Sequence, residues 1–345
     1  MKDLTDHLAA GHVLSGDQLL SAVASLLSDT VEDREKADFL TALSKKGETA
    51  AEITGFANAF LSRAVVPKID RGRISAPLLD VCGTGGDKLN LFNISTASVF
   101  LLAANGVAVV KHGNRGITSK SGGADVLEAL GIRIDLPPEE FGRCLETVGA
   151  GFLFAPLYHP AFKAIISVRR TLGEAGQRTI FNLLGPLLNP ARPDYQLIGV
   201  FDPTLGPVFA EILSQLGRKA AWAIHGTTAD RSGMDEISTL GPSTVWASEG
   251  ANRVEFVIQP SSLPLGSAHL DELTGGDAAE NATILLGILS GKILGPKREI
   301  VSLNAAAGLV ITGKAANLEE GLHLAGQAID SGAALAVLDR WKNFV

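Results

Sequence analysis

Leu78 to Cys82 is a short apolar run that breaks off into Gly83-Thr84-Gly85-Gly86, three glycines within four positions. A run of that length without polar alternation reads as a strand buried on both faces, as parallel strands are. A helix over Ser95 to about Ala104 follows, stopped by Asn105-Gly106, and a second apolar run, Val107 to Val110, comes after it. Strand, helix and strand make a crossover unit, which commits the chain to a parallel sheet with helices on its faces. The grammar continues with a helix from Ala124 to Leu130 stopped at Gly131. Further apolar strands read at Phe152-Leu153-Phe154, Leu197 to Val200, Ala221 to Ile224 and Val254 to Ile258. Helices follow over Asn281 to Leu289, Leu303 to Leu309, Leu318 to about Ile329, and from Gly332 onward.

Ahead of the Pro67 to Pro77 linker the pattern is different. From Leu4 to about Val65 apolar residues recur at three and four, as in Leu19, Leu20, Val23, Leu26 and Leu27, with no strand-like alternation. Asp33 is a cap candidate for a helix burying Phe39, Leu40 and Leu43, Lys46-Gly47 its stop, and Glu48 or Thr49 the opening of another helix toward Phe60. Between about His159 and Leu184 the pattern is again helical without a strand. At 345 residues the chain exceeds the usual size of a single core. The expected architecture is α/β: an all-helical domain over 1–72, joined by helices from about 160–185, and a larger α/β domain over 73–345 with a central, mostly parallel sheet.

Composition narrows the function. A net charge of −7 argues against a protein that coats nucleic acid or anionic lipid, while leaving room for a local basic pocket. Cys82 and Cys144, the only two cysteines, make neither a disulfide framework nor a zinc spacing, so a reducing cytoplasm is expected. Cys82, with no histidine near it in sequence, reads as a small packed residue. Met1 to Leu14 carry charges at helix-compatible spacing, without the pattern of an export signal. Apolar runs such as Val99 to Ala104 fall far short of the roughly 20 residues that span a bilayer.

The chemistry gathers at expected strand ends. The turn opened by Asp80 and closed by Asp87 exposes backbone N–H groups to an anion, unless it is a tight turn with no ligand. It is neither the dinucleotide fingerprint, which needs glycine where Lys88 stands, nor a nucleotide triphosphatase loop, which needs Gly-Lys-Ser/Thr. Asn93, Ser95 and Thr96 stand at a helix start, where they can cap the helix, bind a second phosphate or offer a metal an oxygen. Lys111-His-Gly-Asn-Arg115 follows the second strand. Lys111 and Arg115 can meet phosphate charge, while His112 and Asn114 can read a small planar polar molecule. Ser119 to Gly123 adds an anion-binding nest. Asp235-Glu236, without a metal-ligand histidine nearby, suits magnesium held through oxygens, or else is a solvated pair.

In order along the chain, Gly83-Thr-Gly-Gly-Asp87, Asn93-Ile-Ser-Thr96, Lys111-His-Gly-Asn-Arg115, Ser119-Lys-Ser-Gly122, Ala124-Asp-Val-Leu-Glu-Ala-Leu-Gly131, His159-Pro-Ala161, Arg178-Thr-Ile-Phe-Asn-Leu-Leu-Gly-Pro186 and Asp235-Glu236 resemble the motif series of the anthranilate phosphoribosyltransferase family. With Lys46-Gly-Glu-Thr49 and Asn304-Ala-Ala306, the likeness spans nearly the whole chain. The resemblance implies a fold of the nucleoside phosphorylase and phosphoribosyltransferase kind, a site at a hinge between the two domains, and a homodimer formed through the helical domain. It implies that phosphoribosyl pyrophosphate is held by Gly83, Thr84, Gly85, Gly86, Asp87, Asn93, Ser95, Thr96 and Lys111. Anthranilate is met by His112, Asn114, His159, Arg169 and Pro186, with Arg169 facing its carboxylate. Gly113, Arg115, Ser119 and Gly123 complete the substrate-binding set. Ser95, Asp235 and Glu236 serve magnesium ions, and Asp87, Lys111, Asn114 and Arg169 are the candidate catalytic residues.

The chain departs from the family pattern at Lys88 and Leu91, where glycine and a small hydroxyl residue are usual, and at Gly116 and Gly123, where small polar residues are common. Gly173 to Gln177 carries about three extra residues between Arg169 and Arg178. Two rival readings are a nucleoside phosphorylase of related fold, which has no need of the Asp-Glu pair, and a non-catalytic relative that binds nucleic acid, which the net charge opposes.

Overall fold

The structure is a computed structural model that describes residues 1–116 and 120–345. The chain forms two compact units: Met1–Val65 with Pro156–Pro190, and Val66–Ala155 with Ala191–Val345.

The first unit opens with four helices, Lys2–Ala9, Gly16–Leu26, Asp33–Lys46 and Ala50–Leu61. Ser15 with Gln18, and Thr49 with Glu52, close reciprocal capping boxes that fix two of the starts. Asp33 is not the cap expected of it. The cap position falls on Glu32, and Asp33 is the first helical residue, its carboxylate favoured by the positive helix end and accepting from Ser167 Oγ at 2.6 Å. Gly47 ends that helix at φ 87°, where a side chain is strained. Glu52, 1% exposed, accepts from Lys46 Nζ at 2.7 Å, Thr49 N at 3.0 Å and Leu14 N at 3.1 Å. Burial alone would raise its pKa, but these donors outweigh that and hold it below the usual carboxylate range. The later segment contains the helix Ile166–Glu174 and short helical turns. Phe162 and Phe181 pack against Phe60 in tilted pairs with ring centroids 4.9 and 5.7 Å away, and buried Lys36 donates to the Ala164 carbonyl at 2.9 Å.

The second unit is built on strands β1 (Leu78–Gly83), β2 (Ala108–Gly113), β3 (Ala150–Phe154), β4 (Tyr195–Gly199), β5 (Ala220–Thr227), β6 (Gly233–Met234), β7 (Ser243–Glu249) and β8 (Asn252–Ile258). Their order is β3-β2-β1-β4-β5-β7-β8, with β6 on β5. The first five are parallel, while β7, β8 and β6 run antiparallel to their neighbours. The run Val254 to Ile258 therefore ends the sheet in a hairpin with β7, and Val254 and Val257 are exposed. The sheet is covered by helices, of which Ile94–Ala104 is apolar on every side. Its Ala97, Val99, Phe100, Leu101 and Leu102 are fully buried, which marks it as a core element. It packs on the helix Pro296–Ile311, where a Cβ at Gly308 would come within 2.6 Å of Leu102. Strand order reverses at the β1–β4 pair, and open α/β sheets bind ligands at the carboxyl ends of strands at such a point.

Candidate active site

β1 and β4 end side by side, with Gly83 paired to Gly199. The Asp235-Glu236 loop lies across these ends because three glycines leave room for it. A Cβ on Gly83 would sit 2.2 Å from Asp235 Oδ2, one on Gly199 1.5 Å from the Asp235 carbonyl, and one on Gly226 2.2 Å from the Glu236 carbonyl. The loop is gripped from beneath by Asn304, whose Oδ1 accepts from Ile237 N at 2.9 Å and whose Nδ2 donates to the Ile237 carbonyl at 3.0 Å. An acidic pair distant in sequence is thereby placed against the glycine turn, and Gly85 N donates to Asp235 Oδ2 at 2.7 Å.

The turn itself relies on left-handed backbone. Gly85 and Gly86 have φ of 71° and 94°, and Lys88 and Asn90 follow at 60° and 53°. Lys88 stands where the family pattern has glycine and adopts a conformation glycine prefers. Asp87 Oδ1 accepts from Leu89 N at 3.2 Å. Asn93 is at the helix start without capping it; its Nδ2 donates to the Ser121 carbonyl at 3.3 Å and its Oδ1 accepts from Asn281 Nδ2 at 2.9 Å.

Lys111 lies nearly buried in β2, donating to the Val81 carbonyl at 2.7 Å and to Ser95 Oγ at 3.2 Å. Ser95 N donates to Glu236 Oε1 at 3.1 Å, so Lys111, Ser95 and Glu236 form one connected group. Thr96 is buried, and the missing side chain of Gly123 leaves space for it: a Cβ there would lie 3.2 Å from Thr96 Oγ1 and 3.5 Å from Lys111 Cε. Gly113 similarly faces Phe152, 3.0 Å from where its Cβ would be. His112 N donates to buried Asp80 at 3.4 Å; Asp80 also accepts from Gln196 Nε2 at 3.2 Å, and Gln196 accepts from Arg218 Nε at 2.9 Å. Asp80, the first letter of the glycine motif, is thus a buried strut beneath the site. Asn114 is exposed, its Oδ1 accepting from Arg115 N at 2.8 Å.

Arg115, expected to meet phosphate charge, has carboxylate partners in the structure. Its guanidinium is bound to Glu128 and Asp125 and lies 5.6 Å over the Phe154 ring, so its charge is already matched by two carboxylates. Ser119 lies outside the described residues. Burial, with Asp80 beside it, pushes the Cys82 thiol up, and it is no thiolate nucleophile.

Electrostatically the site is a group of repelling carboxylates. Burial pushes Asp235 and Glu236 above the ordinary range, and Asp87 beside Asp235 and Asp235 beside Glu236 push them further, while Lys111 draws Glu236 down. Among the described residues no three His, Cys, Asp or Glu side chains converge into a closed metal cage. One or two carboxylates completed by phosphate oxygens is the donor pattern of magnesium, and the residues here fit it.

Comparison with known proteins decides what this arrangement belongs to. The helical bundle domain of a glycosyl transferase family matches residues 2–64, and the a/b domain of that family matches residues 75–335. The anthranilate phosphoribosyltransferase of Symbiobacterium thermophilum is 46% identical over 100% of this chain and 97% of its own length; that of Haloferax volcanii is 43% identical over 98% of each. The chain belongs to the anthranilate phosphoribosyltransferase family. Among solved members of that family, the Thermus thermophilus enzyme superposes with a TM-score of 0.89 at 38% identity, covering 99% of each chain. The Saccharomyces cerevisiae enzyme, solved in complex with phosphoribosyl pyrophosphate and magnesium, gives 0.83 at 28% identity, covering 94% of this chain and 91% of its own.

Within the helical unit, His159, Arg169 and Pro186, the residues expected to meet anthranilate, fall on different short elements. His159 is buried, and Nε2 must carry a proton to donate to the Leu188 carbonyl at 2.8 Å. Burial lowers its pKa, so the ring is neutral at pH 7. Arg169 is exposed on the helix Ile166–Glu174, its guanidinium 5.0 Å over the Phe181 ring. The extra residues do not interrupt that helix. They close it, with Ala175 at the cap, Gly176 at φ 69° and Gln177 N donating back to Leu172 O at 2.9 Å. Pro186 sits in the single turn Gly185–Leu187.

Proposed function

We propose that this chain transfers the 5-phosphoribosyl group of phosphoribosyl pyrophosphate to the amine of anthranilate, releasing pyrophosphate, in tryptophan biosynthesis. The observation that carries the reading is the acidic loop seated on the glycine turn where strand order reverses, in a chain of this family. The glycine turn with Asp87, Asn93, Ser95, Thr96 and Lys111 is assigned to the donor, and His112, Asn114, His159, Arg169 and Pro186 to anthranilate. Displacement at the anomeric carbon builds positive charge on the sugar ring as pyrophosphate departs, so the enzyme's main contribution is electrostatic. Charge neutralisation at pyrophosphate is the chemistry that magnesium supplies when held by Asp235, Glu236 and the Ser95 hydroxyl. Anthranilate's aromatic amine is neutral near pH 7, so no strong base is needed. Alignment and exclusion of water remain for the chain's own residues, since water would hydrolyse the donor. Arg169 supplies the cation for anthranilate's carboxylate.

The reading extends to a homodimer formed through the helical unit, on the family resemblance, and to a cytoplasmic enzyme, on its two unpaired cysteines. Loss of anthranilate fluorescence on mixing the protein with magnesium and phosphoribosyl pyrophosphate tests the reaction. No loss, with the donor intact, refutes it. Asp235→Asn with Glu236→Gln abolishes turnover at low magnesium; undiminished rates at every magnesium concentration remove the pair from the metal's site.

A further inference from the structure

The loop that joins the glycine turn to the helix Ile94–Ala104 is braced from a region nearly two hundred residues further along the chain. Thr274 bridges Leu91, Phe92 N donates to the Leu273 carbonyl at 3.3 Å, and Gly275 N donates to the Asn90 carbonyl at 2.8 Å. Gly275 allows this approach: a Cβ there would lie 2.6 Å from Phe92 Cα. Asp277 and Glu280 then cap the helix Ala278–Leu289, and its first turn presents Asn281 to Asn93.

Asn281 is 2% exposed and its amide has only one orientation available. Its Oδ1 accepts from Gly276 N at 2.9 Å, which leaves Nδ2 to face the Gly276 carbonyl at 3.3 Å and Asn93 Oδ1 at 2.9 Å. A neighbour that can only donate obliges Asn93 to turn its oxygen toward Asn281. The Asn93 NH₂ is thereby directed to the Ser121 side, where one hydrogen meets the Ser121 carbonyl at 3.3 Å. We infer that Asn281 is a positioning residue for the phosphoribosyl donor, fixing Asn93 as a hydrogen-bond donor toward a phosphate oxygen. An amide free to flip would offer that phosphate an oxygen half the time, and oxygen facing oxyanion is repulsive. The inference rests on the assignment of Asn93 to the donor made above.

The test is a double-mutant cycle read as Michaelis constants. Asn281→Asp keeps the shape but replaces the donor with an acceptor, so Asn93 flips. The expected result is a rise of about tenfold or more in the Michaelis constant for phosphoribosyl pyrophosphate, the size of one charged hydrogen bond, with that for anthranilate unchanged. Asn93→Ala gives a comparable rise, and adding Asn281→Asp to it gives no further one. A continued rise in the Asn93→Ala background means that the new charge, not Asn93, is responsible, and overturns the inference. An unchanged constant in Asn281→Asp, beside a raised one in Asn93→Ala, overturns it while leaving the donor assignment intact. If neither variant moves the constant, the assignment of Asn93 fails and the inference with it. Asn281→Ala, which adds no charge and leaves Asn93 free to flip, takes the place of Asn281→Asp if the latter does not fold: the expected rise is about twofold and vanishes in the Asn93→Ala background, and no rise, or one that persists in that background, overturns the inference.

Discussion

Gly199 shows how one missing side chain can determine whether a site forms. Its would-be Cβ overlaps the Asp235 carbonyl at 1.5 Å, and the clash is with backbone, which cannot rotate away. Gly199→Ala should therefore push the Asp235-Glu236 loop off the strand ends, lowering kcat/KM by about a hundredfold while circular dichroism stays that of the parent. Parental kinetics would mean that the loop's seat does not matter. Arg169 poses the complementary question, because its helix is intact and the extra residues only close it. Arg169→Ala should raise the Michaelis constant for anthranilate about tenfold and leave that for phosphoribosyl pyrophosphate alone. At this scale the letters single out Lys111, Ser95 and the acidic pair by residue type, and the structure joins Lys111, Ser95 and Glu236 by hydrogen bonds. The sequence was not legible where the role depends on a contact across the fold. Nothing in the letters distinguishes Gly199 and Gly226 from glycines at ordinary strand ends, or Asn281 from any polar residue in a first helical turn. The ion pairs of Arg115 were hidden for the same reason: Glu128 and Asp125 are its partners only once the helix Gly123–Ala129 has formed beside it.

Among the elements, the start of the helix Ala50–Leu61 carries a testable pH dependence. Glu52 is held ionised by Lys46, Thr49 and Leu14, with its folded pKa below the 4.5 of a free glutamate. A depressed carboxyl stabilises the fold above its unfolded pKa, and that contribution is lost as pH falls through the folded value. Urea unfolding should show stability declining below about pH 4.5. Glu52→Gln should flatten that decline and cost about 3 kcal/mol at neutral pH, because Lys46 is left buried without its carboxylate. An equally steep decline in the variant would assign the acid sensitivity elsewhere. The elements that sequence reading located are those with continuous apolar runs or glycine stops, such as β1, β2 and the helix between them. β7 escaped it because Ser243–Glu249 is only partly buried and holds just the three-residue apolar run Val245-Trp246-Ala247 between polar pairs, with neither alternation nor a long apolar stretch to mark it. The helices Pro138–Val148 and Leu205–Gln215 were passed over although each buries one face, Phe141, Leu145 and Val148 in the first and Phe209, Ile212 and Leu213 in the second. The antiparallel end of the sheet follows from β7, so missing that strand hid the hairpin.

For the molecule as a whole, the family's helical bundle domain is matched over residues 2–64, yet the helical unit also takes in Pro156–Pro190. Two aromatic contacts of Phe60, with Phe162 and Phe181, and the hydrogen bond of the Lys36 ammonium to the Ala164 carbonyl come from that later segment. An N-terminal fragment ending at Val65 would lay bare Phe60 and strand the Lys36 charge against apolar surface. Expressed alone it should be insoluble or unfolded by circular dichroism, and a cooperative melt of that fragment would contradict this. Ribosomal synthesis meets the same constraint in time. The nascent helices must wait, some hundred residues long, for the strands of another unit to emerge before the piece that completes them arrives. The N-terminal helices therefore cannot finish folding until Pro156–Pro190 has been made, and a chaperone acting on the growing polypeptide would find its binding surface there.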